Sequence, residues 1–352
     1  MDQTTAFEGT GFREMTQAER AILRKTQAFA KASNGWGFWQ GVNALAGVAA
    51  TITLMHFVGT TWAWMLIPLL ALFLVRVFIL EHDCGHRSLF SSAGWNDTWG
   101  RLLAIVTGVA YQGWRIEHNW HHQSIGSIER RWVDRTNSPM TTEEAQKHPD
   151  KAKIFINKIS PVSICILGTY SLLFERKRHK AFFVFRPTFR WKNVHADLIK
   201  RDLWLNNAAH LCFHLLLLYT CGWGVYVSAL IPSMLVASMI GASLFWVQHN
   251  FEHSYLEHEA QWSFVAAALR GSSYLKLPGI LQWFSGDIGL HHVHHLNPRI
   301  PNYRLKEALR GIDELAAVTP LSMNDIKKCY THLFWDPKLG KKVQLRLSDL
   351  RQ

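Results

Sequence analysis

The chain has 352 residues, 48% of them hydrophobic and 18% charged, and its 38 Lys and Arg against 26 Asp and Glu give a formal charge of +12. Five scattered cysteines, an odd number without a Cys-x-x-Cys pair, exclude a disulfide framework and a thiolate zinc site. The polar N-terminal segment 1–35 shows no cleavable signal peptide, and the basic excess comes without a nucleic-acid-binding motif, so no nucleic-acid partner is expected.

Beyond that segment, charge disappears. Positions 33–75 hold no Asp, Glu, Lys or Arg in 43 residues, where the average composition predicts about eight, and positions 203–251 hold none in 49. As helix, each run measures roughly 65–74 Å against about 30 Å of hydrocarbon per crossing, which is length enough for two spans. Gly59-Thr60-Thr61 and Gly222-Trp223-Gly224 supply turn signals inside the runs. Helices are therefore predicted over 36–58, 62–80, 203–221 and 224–247. Trp36, Trp39, Trp62, Trp64, Trp204 and Trp223 fall near their ends, where interfacial aromatic residues belong.

Two further apolar segments, 99–114 and 154–174, are read as interfacial or re-entrant helices. A crossing by the second would carry the nine Lys and Arg of 176–201 to the far side. Lys and Arg number 5 in 1–35, 19 in 81–202 and 13 in 248–352, with none at the two hairpin tips. The positive-inside rule then makes both termini and the long middle segment cytoplasmic. The expected fold class is an all-α integral membrane protein: four transmembrane helices in two hairpins, interfacial helices, and a cytoplasmic histidine-rich di-metal cap. The membrane domain is placed at 36–310 and a cytoplasmic tail with short helices at 311–352.

Nineteen histidines are the unusual count. Three clusters hold most of the pattern: His82 and His86; His118, His121 and His122; His291, His292, His294 and His295. Spacings of three and four put rings on one side of a helical turn, and His292 points off that side. All three clusters flank apolar segments on the side that the charge distribution makes cytoplasmic. Eight convergent imidazoles suit Zn, Cu, Fe or Ni and exceed the four donors of one tetrahedral zinc, so at least two metals are implied. A fourth element, Gln248-His249-Asn250-Phe251-Glu252-His253, adds His249 and His253 one turn apart, with Glu252 as an acceptor able to orient an imidazole. His56, His148, His179, His195, His258 and His332 read as ordinary surface or core residues. His210 and His214 share one face of the third span, too deep to meet the clusters.

The three boxes, in this order around two hairpins, resemble the membrane fatty acid desaturase family. The likeness covers roughly 36–310 and is densest in VQHNFEH, AALRGSSYLKLP, LQWFSGDIGLHHVHHL and NPRIPNYRL, which are similar to bacterial acyl-lipid desaturases of the omega-6 (delta-12), delta-5 and omega-3 groups. The resemblance implies a bacterial inner-membrane enzyme with two non-haem irons, O2 as oxidant and the acyl chain of a membrane lipid as substrate. It implies His82, His86, His118, His121, His122, His249, His291, His294 and His295 as ligands. His253 stands where a carboxylate is common in the similar proteins, which leaves the set at nine or ten. No haem module or iron–sulfur cysteine run is present in the sequence, so an external electron donor such as ferredoxin or a b-type cytochrome is expected. Two alternatives are an acyl-chain hydroxylase or oxygenase on the same scaffold, and a histidine-rich metal transporter. The transporter would need ligands in mid-membrane, where only His210 and His214 are candidates.

Overall fold

Local signals set the first elements in a computed structural model of the chain, which describes residues 14–131, 139–170 and 196–350. Of the basic run 176–201, residues 176–195 lie outside them. Helix α1 (Gln17–Thr26) opens on a capping box between Thr16 and Glu19. Helix α2 (Asn34–Ala63) starts at Ser33, whose hydroxyl accepts from the Trp36 N–H, and α3 (Ile67–Gly85) carries a proline in its first turn. Then come α4 (Ala93–Thr107), α5 (Tyr111–Ser124), a short strand β1 (Met140–Thr141), α6 (Thr142–Lys147), α7 (Pro149–Lys158) and α8 (Pro161–Tyr170). The second apolar stretch supplies α9 (Ala196–Val225) and α10 (Ile231–His249). Short elements complete the chain: α11 (Phe264–Gly271), α12 (Gly279–Phe284), α13 (His291–Leu296), α14 (Leu305–Gly311), α15 (Asp313–Ala316), α16 (Met323–Lys328), β2 (Phe334–Asp336) and β3 (Lys341–Val343).

Among the described residues two helical stretches, Asn34–Gly85 and Ile199–His249, are long and apolar enough to cross a membrane, at 52 and 51 residues. Each is interrupted by one glycine in the left-handed region, Gly59 at φ 68° and Gly222 at φ 76°. Nothing lies within 4 Å of a Cβ built at either position, so the demand for glycine there is conformational. Beyond Gly59 the chain returns along itself: a Cβ on Gly47 would meet the Phe73 ring at 2.1 Å. The two breaks meet at one end of the molecule, where Gly224 lies against Thr60 and where Met55, Ala63, Val225, Ala229 and Leu230 share a core.

Four helices in two hairpins were expected; the structure has two long apolar stretches, each folding at one of the glycines of the expected turns. The helices also overrun the predicted bounds. Helix α3 runs to Gly85 and so contains His82, and α9 begins at Ala196 and so contains Lys200, Arg201 and Asp202. The onset of charge marks the edge of an apolar window, whereas a helix continues for as long as its backbone hydrogen bonds do. Much of the apolar surface faces outward, with Phe57, Tyr219 and Trp223 exposed at 78%, 88% and 70%. Side chains of this kind over so large an area suit a lipid surround.

The segment 99–114 divides at Gly108, which closes α4 in the left-handed conformation at φ 71°. The segment 154–174 is not one helix either. Helices α7 and α8 meet at a 92° bend, and α8 then runs against α10, with Gly168 facing Ala242 and Cys165 Sγ 3.4 Å from Ser243 Oγ. Residues 171–174 lie outside the described part. The purely α-helical expectation also needs correction. Strand β2 pairs parallel with β1 (Met140↔Phe334) and antiparallel with β3 (Trp335↔Lys342), giving a three-stranded sheet. Strands of two or three residues show no readable alternation, and their partners lie far apart in sequence.

Candidate metal centre

The histidine boxes sit on four separate elements that end together, opposite the glycine turns. His82 lies in the last turn of α3 and His86 caps it. His118, His121 and His122 occupy the second half of α5, His249 ends α10, and His291, His294 and His295 lie on α13. All nine are buried. They form two groups: His82, His86, His118, His122 and His294 in one, and His121, His249, His291 and His295 in the other. Within each group the ring nitrogens lie within 4.8 Å of one another.

Helix geometry explains why each box splits between the groups. In both His-x-x-His-His boxes the residues four apart stay together, and the histidine three residues after the first turns to the other group. Thus His118 and His122 share a group while His121 leaves it; His291 and His295 share the second while His294 leaves it. At about 100° per residue, positions i+3 and i+4 fall on opposite sides of position i, so a single turn can serve two adjacent centres. The groups touch through the His122 and His295 rings, stacked with centroids 3.9 Å apart.

In the four-histidine group the Nε2 atoms close a circuit: His121 to His249 3.1 Å, His249 to His291 2.9 Å, His291 to His295 3.1 Å and His295 to His121 3.3 Å. A square with sides of about 3.1 Å has its centre about 2.2 Å from each corner (3.1/√2), close to the roughly 2.0–2.1 Å of a metal–imidazole bond. In the five-histidine group, Nε2 atoms run from His82 to His118 at 3.0 Å, to His122 at 3.1 Å and to His294 at 3.1 Å. The His86 ring stands 4.5–4.9 Å from all four of those rings, like the apex over a base. His86 Nε2 is buried with no hydrogen-bond partner, and the ring is hydrogen-bonded to the Asn119 side chain. These donors fit two cations with nitrogen ligands; among the described residues no carboxylate joins either group.

Protonation favours the same use. Burial first, and neighbouring imidazoles second, push His86, His118, His122, His291, His294 and His295 well below the usual 6.5. These rings therefore stay neutral at pH 7 with lone pairs available. Outer contacts fix ring orientation. With Nε2 turned inward, the His82 Nδ1–H donates to Asp83 Oδ1 at 3.1 Å, and Asp83 Oδ2 accepts from the Asn302 N–H at 2.9 Å and from Nδ2 at 2.8 Å. The His249 Nδ1–H donates to the Gly271 carbonyl at 3.2 Å.

The remaining candidates lie elsewhere. Glu252 does not orient an imidazole; it pairs with Lys328 and Lys341, which hold its carboxyl down to about 2. His253 is solvent-exposed beside Glu252 and joins neither group. His292 is fully buried against Tyr274, outside both groups, and burial lowers it to about 4. His210 donates to the Ile105 carbonyl at 2.7 Å, and His214 Nδ1 lies 2.9 Å from the Tyr226 hydroxyl, both apart from the two groups. The orienting roles of Asp83, Asn302 and the Gly271 carbonyl were missed. Asp83 stands inside the first box, but its partner Asn302 is 219 positions away, and a backbone carbonyl leaves no trace in a sequence.

Comparison with known proteins agrees with this geometry. The family model described as "Fatty acid desaturase" matches residues 59–327. A protein named "Fatty acid desaturase" from Bacillus subtilis is 32% identical over 281 residues, covering 78% of this chain and 75% of the relative. A Nostoc "sn-1 acyl-lipid omega-3 desaturase (ferredoxin)" is 28% identical, covering 67% and 63%. A Synechocystis "sn-1 oleoyl-lipid 12-desaturase" is 26% identical, covering 72% and 68%.

Proposed function

This chain belongs to the fatty acid desaturase family, and from that premise we propose an integral-membrane acyl-lipid desaturase whose nine clustered histidines hold two irons. His82, His86, His118, His122 and His294 hold one iron; His121, His249, His291 and His295 hold the other. The observation that carries this reading is the pair of inward-facing nitrogen arrays with edges near 3 Å. Five nitrogen donors exceed a tetrahedral zinc site, which favours a metal of higher coordination number such as iron. Each glycine-folded stretch makes one membrane hairpin, for four crossings, and the charge distribution supports cytoplasmic termini in a bacterial inner membrane.

An unactivated methylene has no acidic proton and no leaving group, so side-chain acid–base chemistry alone cannot attack it. Bound iron supplies the capacity to reduce O2 and the oxidising power to draw hydrogen from such a carbon. The overall change removes one hydrogen from each of two adjacent carbons, takes two electrons from an external donor and two protons from water, and leaves O2 as two waters. An external one-electron carrier, such as ferredoxin or a b-type cytochrome, fits the absence of a cofactor-binding motif for electron transfer in the sequence.

The protein's own work is placement and shielding. Asp83 and Asn302 fix the His82 ring, and Gly271 fixes His249. Aromatic rings pack against the cluster: Trp114 stacks on His118 at 4.5 Å with Phe78 behind it, and Phe245 lies 5.0 Å from His121 and 5.1 Å from His249. These apolar rings exclude water and present an acyl chain with surface like its own. Expression in a host that lacks polyunsaturated lipids should yield a new double bond, seen as the loss of two hydrogens in lipid mass spectra. A product heavier by one oxygen would identify a hydroxylase instead.

A further inference from the structure

His249 differs from the other eight clustered histidines in having no second one on its own helix. The others lie in the last turn of α3, on α5 or on α13, where one backbone orients two or three rings at once. His249 ends α10, and the final carbonyls of a helix have no partner within it. Two neighbouring carbonyls are satisfied nearby: Trp246 O accepts from the Asn250 N–H, and Gln248 O from the Ser273 N–H. The His249 carbonyl accepts from Lys342 Nζ at 3.3 Å, and the same ammonium donates to Asn250 Oδ1 at 2.9 Å.

Lys342 lies on β3 in the C-terminal tail and is 1% exposed, an unusual place for a lysine. Three further contacts tie that tail to the end of α10. The Lys342 N–H donates to the Glu252 carbonyl at 2.7 Å, Lys341 Nζ lies 3.0 Å from Glu252 Oε1, and Lys328 Nζ holds Glu252 Oε2. One turn earlier, the Trp246 indole N–H donates to the Cys329 carbonyl at 2.9 Å. Lys328, Lys341 and Lys342 all lie beyond residue 327, where the match to the family model ends.

We infer that Lys342 is a positioning residue for the metal centre: the C-terminal tail clamps the end of α10 and thereby sets His249 in the four-histidine group. A cation on the last carbonyl of a helix is favoured by the helix dipole and forms a charge-assisted bond. Its effect on the metal passes through the backbone of His249, while the Gly271 carbonyl holds the ring from the other side. Glu252 with Lys328 and Lys341 holds the strand that delivers Lys342. The inference rests on the reading of the nine histidines as ligands of two metals, and it assigns the tail to one of the two positions.

Full-length protein in lipid nanodiscs, loaded anaerobically with Fe(II), tests it by metal count and by release to a chelator. Wild type and the exposed-tail control Lys338→Ala should hold two irons per chain. Lys342→Met should hold about one, and His249→Ala should match it. Glu252→Gln should hold two, with one released about tenfold faster than in wild type. Selective loss is the signature, since general loosening of the fold would weaken both positions. Two irons with wild-type release in a folded Lys342→Met protein would overturn the inference. If Lys342→Met fails to fold, Glu252→Gln decides, and wild-type release from it would overturn the inference equally. A wild-type protein that binds no metal would instead sink the ligand reading, and the clamp with it.

Discussion

The two histidine groups reach similar nitrogen spacing by different routes. The five-histidine group draws four of its members from two i, i+4 pairs, His82 with His86 and His118 with His122, and it adds the Asp83–Asn302 bracket. The four-histidine group has one such pair, His291 with His295, and takes His121 and His249 singly from α5 and α10. Local helix geometry supplies four of the five members of the first group, whereas half of the second arrives singly by long-range packing. The second should therefore be the weaker, and removal of iron by a chelator should run in two phases with the four-histidine position emptying first. A single phase would erase the distinction.

Ligand removal gives the largest effect. His294→Ala and His121→Ala should each bring desaturation below detection with protein still in the membrane, and iron counting should show loss at the five- and four-histidine positions respectively. Full activity in both variants would reject the assignment.

The metal-free protein should respond strongly to pH. Above 6.5 the buried rings are neutral in both folded and unfolded chains, and their contribution to stability is complete. Below 6.5 the unfolded chain takes up protons that the folded rings, with their lowered pKa values, refuse, so stability falls as pH drops. Melting temperature should decline from pH 6.5 to 5, and replacing His86 or His118 with Gln should flatten the slope. Four of the six shifted rings within the two groups belong to the five-histidine group, so its variants should flatten the slope more than those of the other group. A pH-independent melt would contradict the neutral-ring assignment.

Smaller effects mark the boundary of the site. Asp83→Asn should weaken iron at the five-histidine position by about 10–100-fold, the usual range for removing an acceptor behind a ligating histidine, and leave the other position unchanged. His292→Leu should alter stability by about 1–3 kcal/mol, as core substitutions do, and retain both irons. His253→Ala, on an exposed side chain, should leave iron content and activity within about twofold of wild type.

The sequence alone determined what depends on neighbours along the chain. Apolar runs without charge marked the two long stretches, Gly59 and Gly222 marked their folds, and spacings of three and four marked rings sharing a helical turn. All nine histidines that the structure gathers were recognisable from their boxes and from His249. Only tertiary structure decided how nine divide into five and four, because the helical period fixes the angle between rings but not which centre lies on either side. It also decided that Glu252 serves the tail lysines, that Asn302 reaches Asp83, and that a sheet of very short strands delivers Lys342 to His249. Each of those contacts joins residues dozens to hundreds of positions apart, and a hydrogen bond across such a distance leaves no periodic mark in either segment.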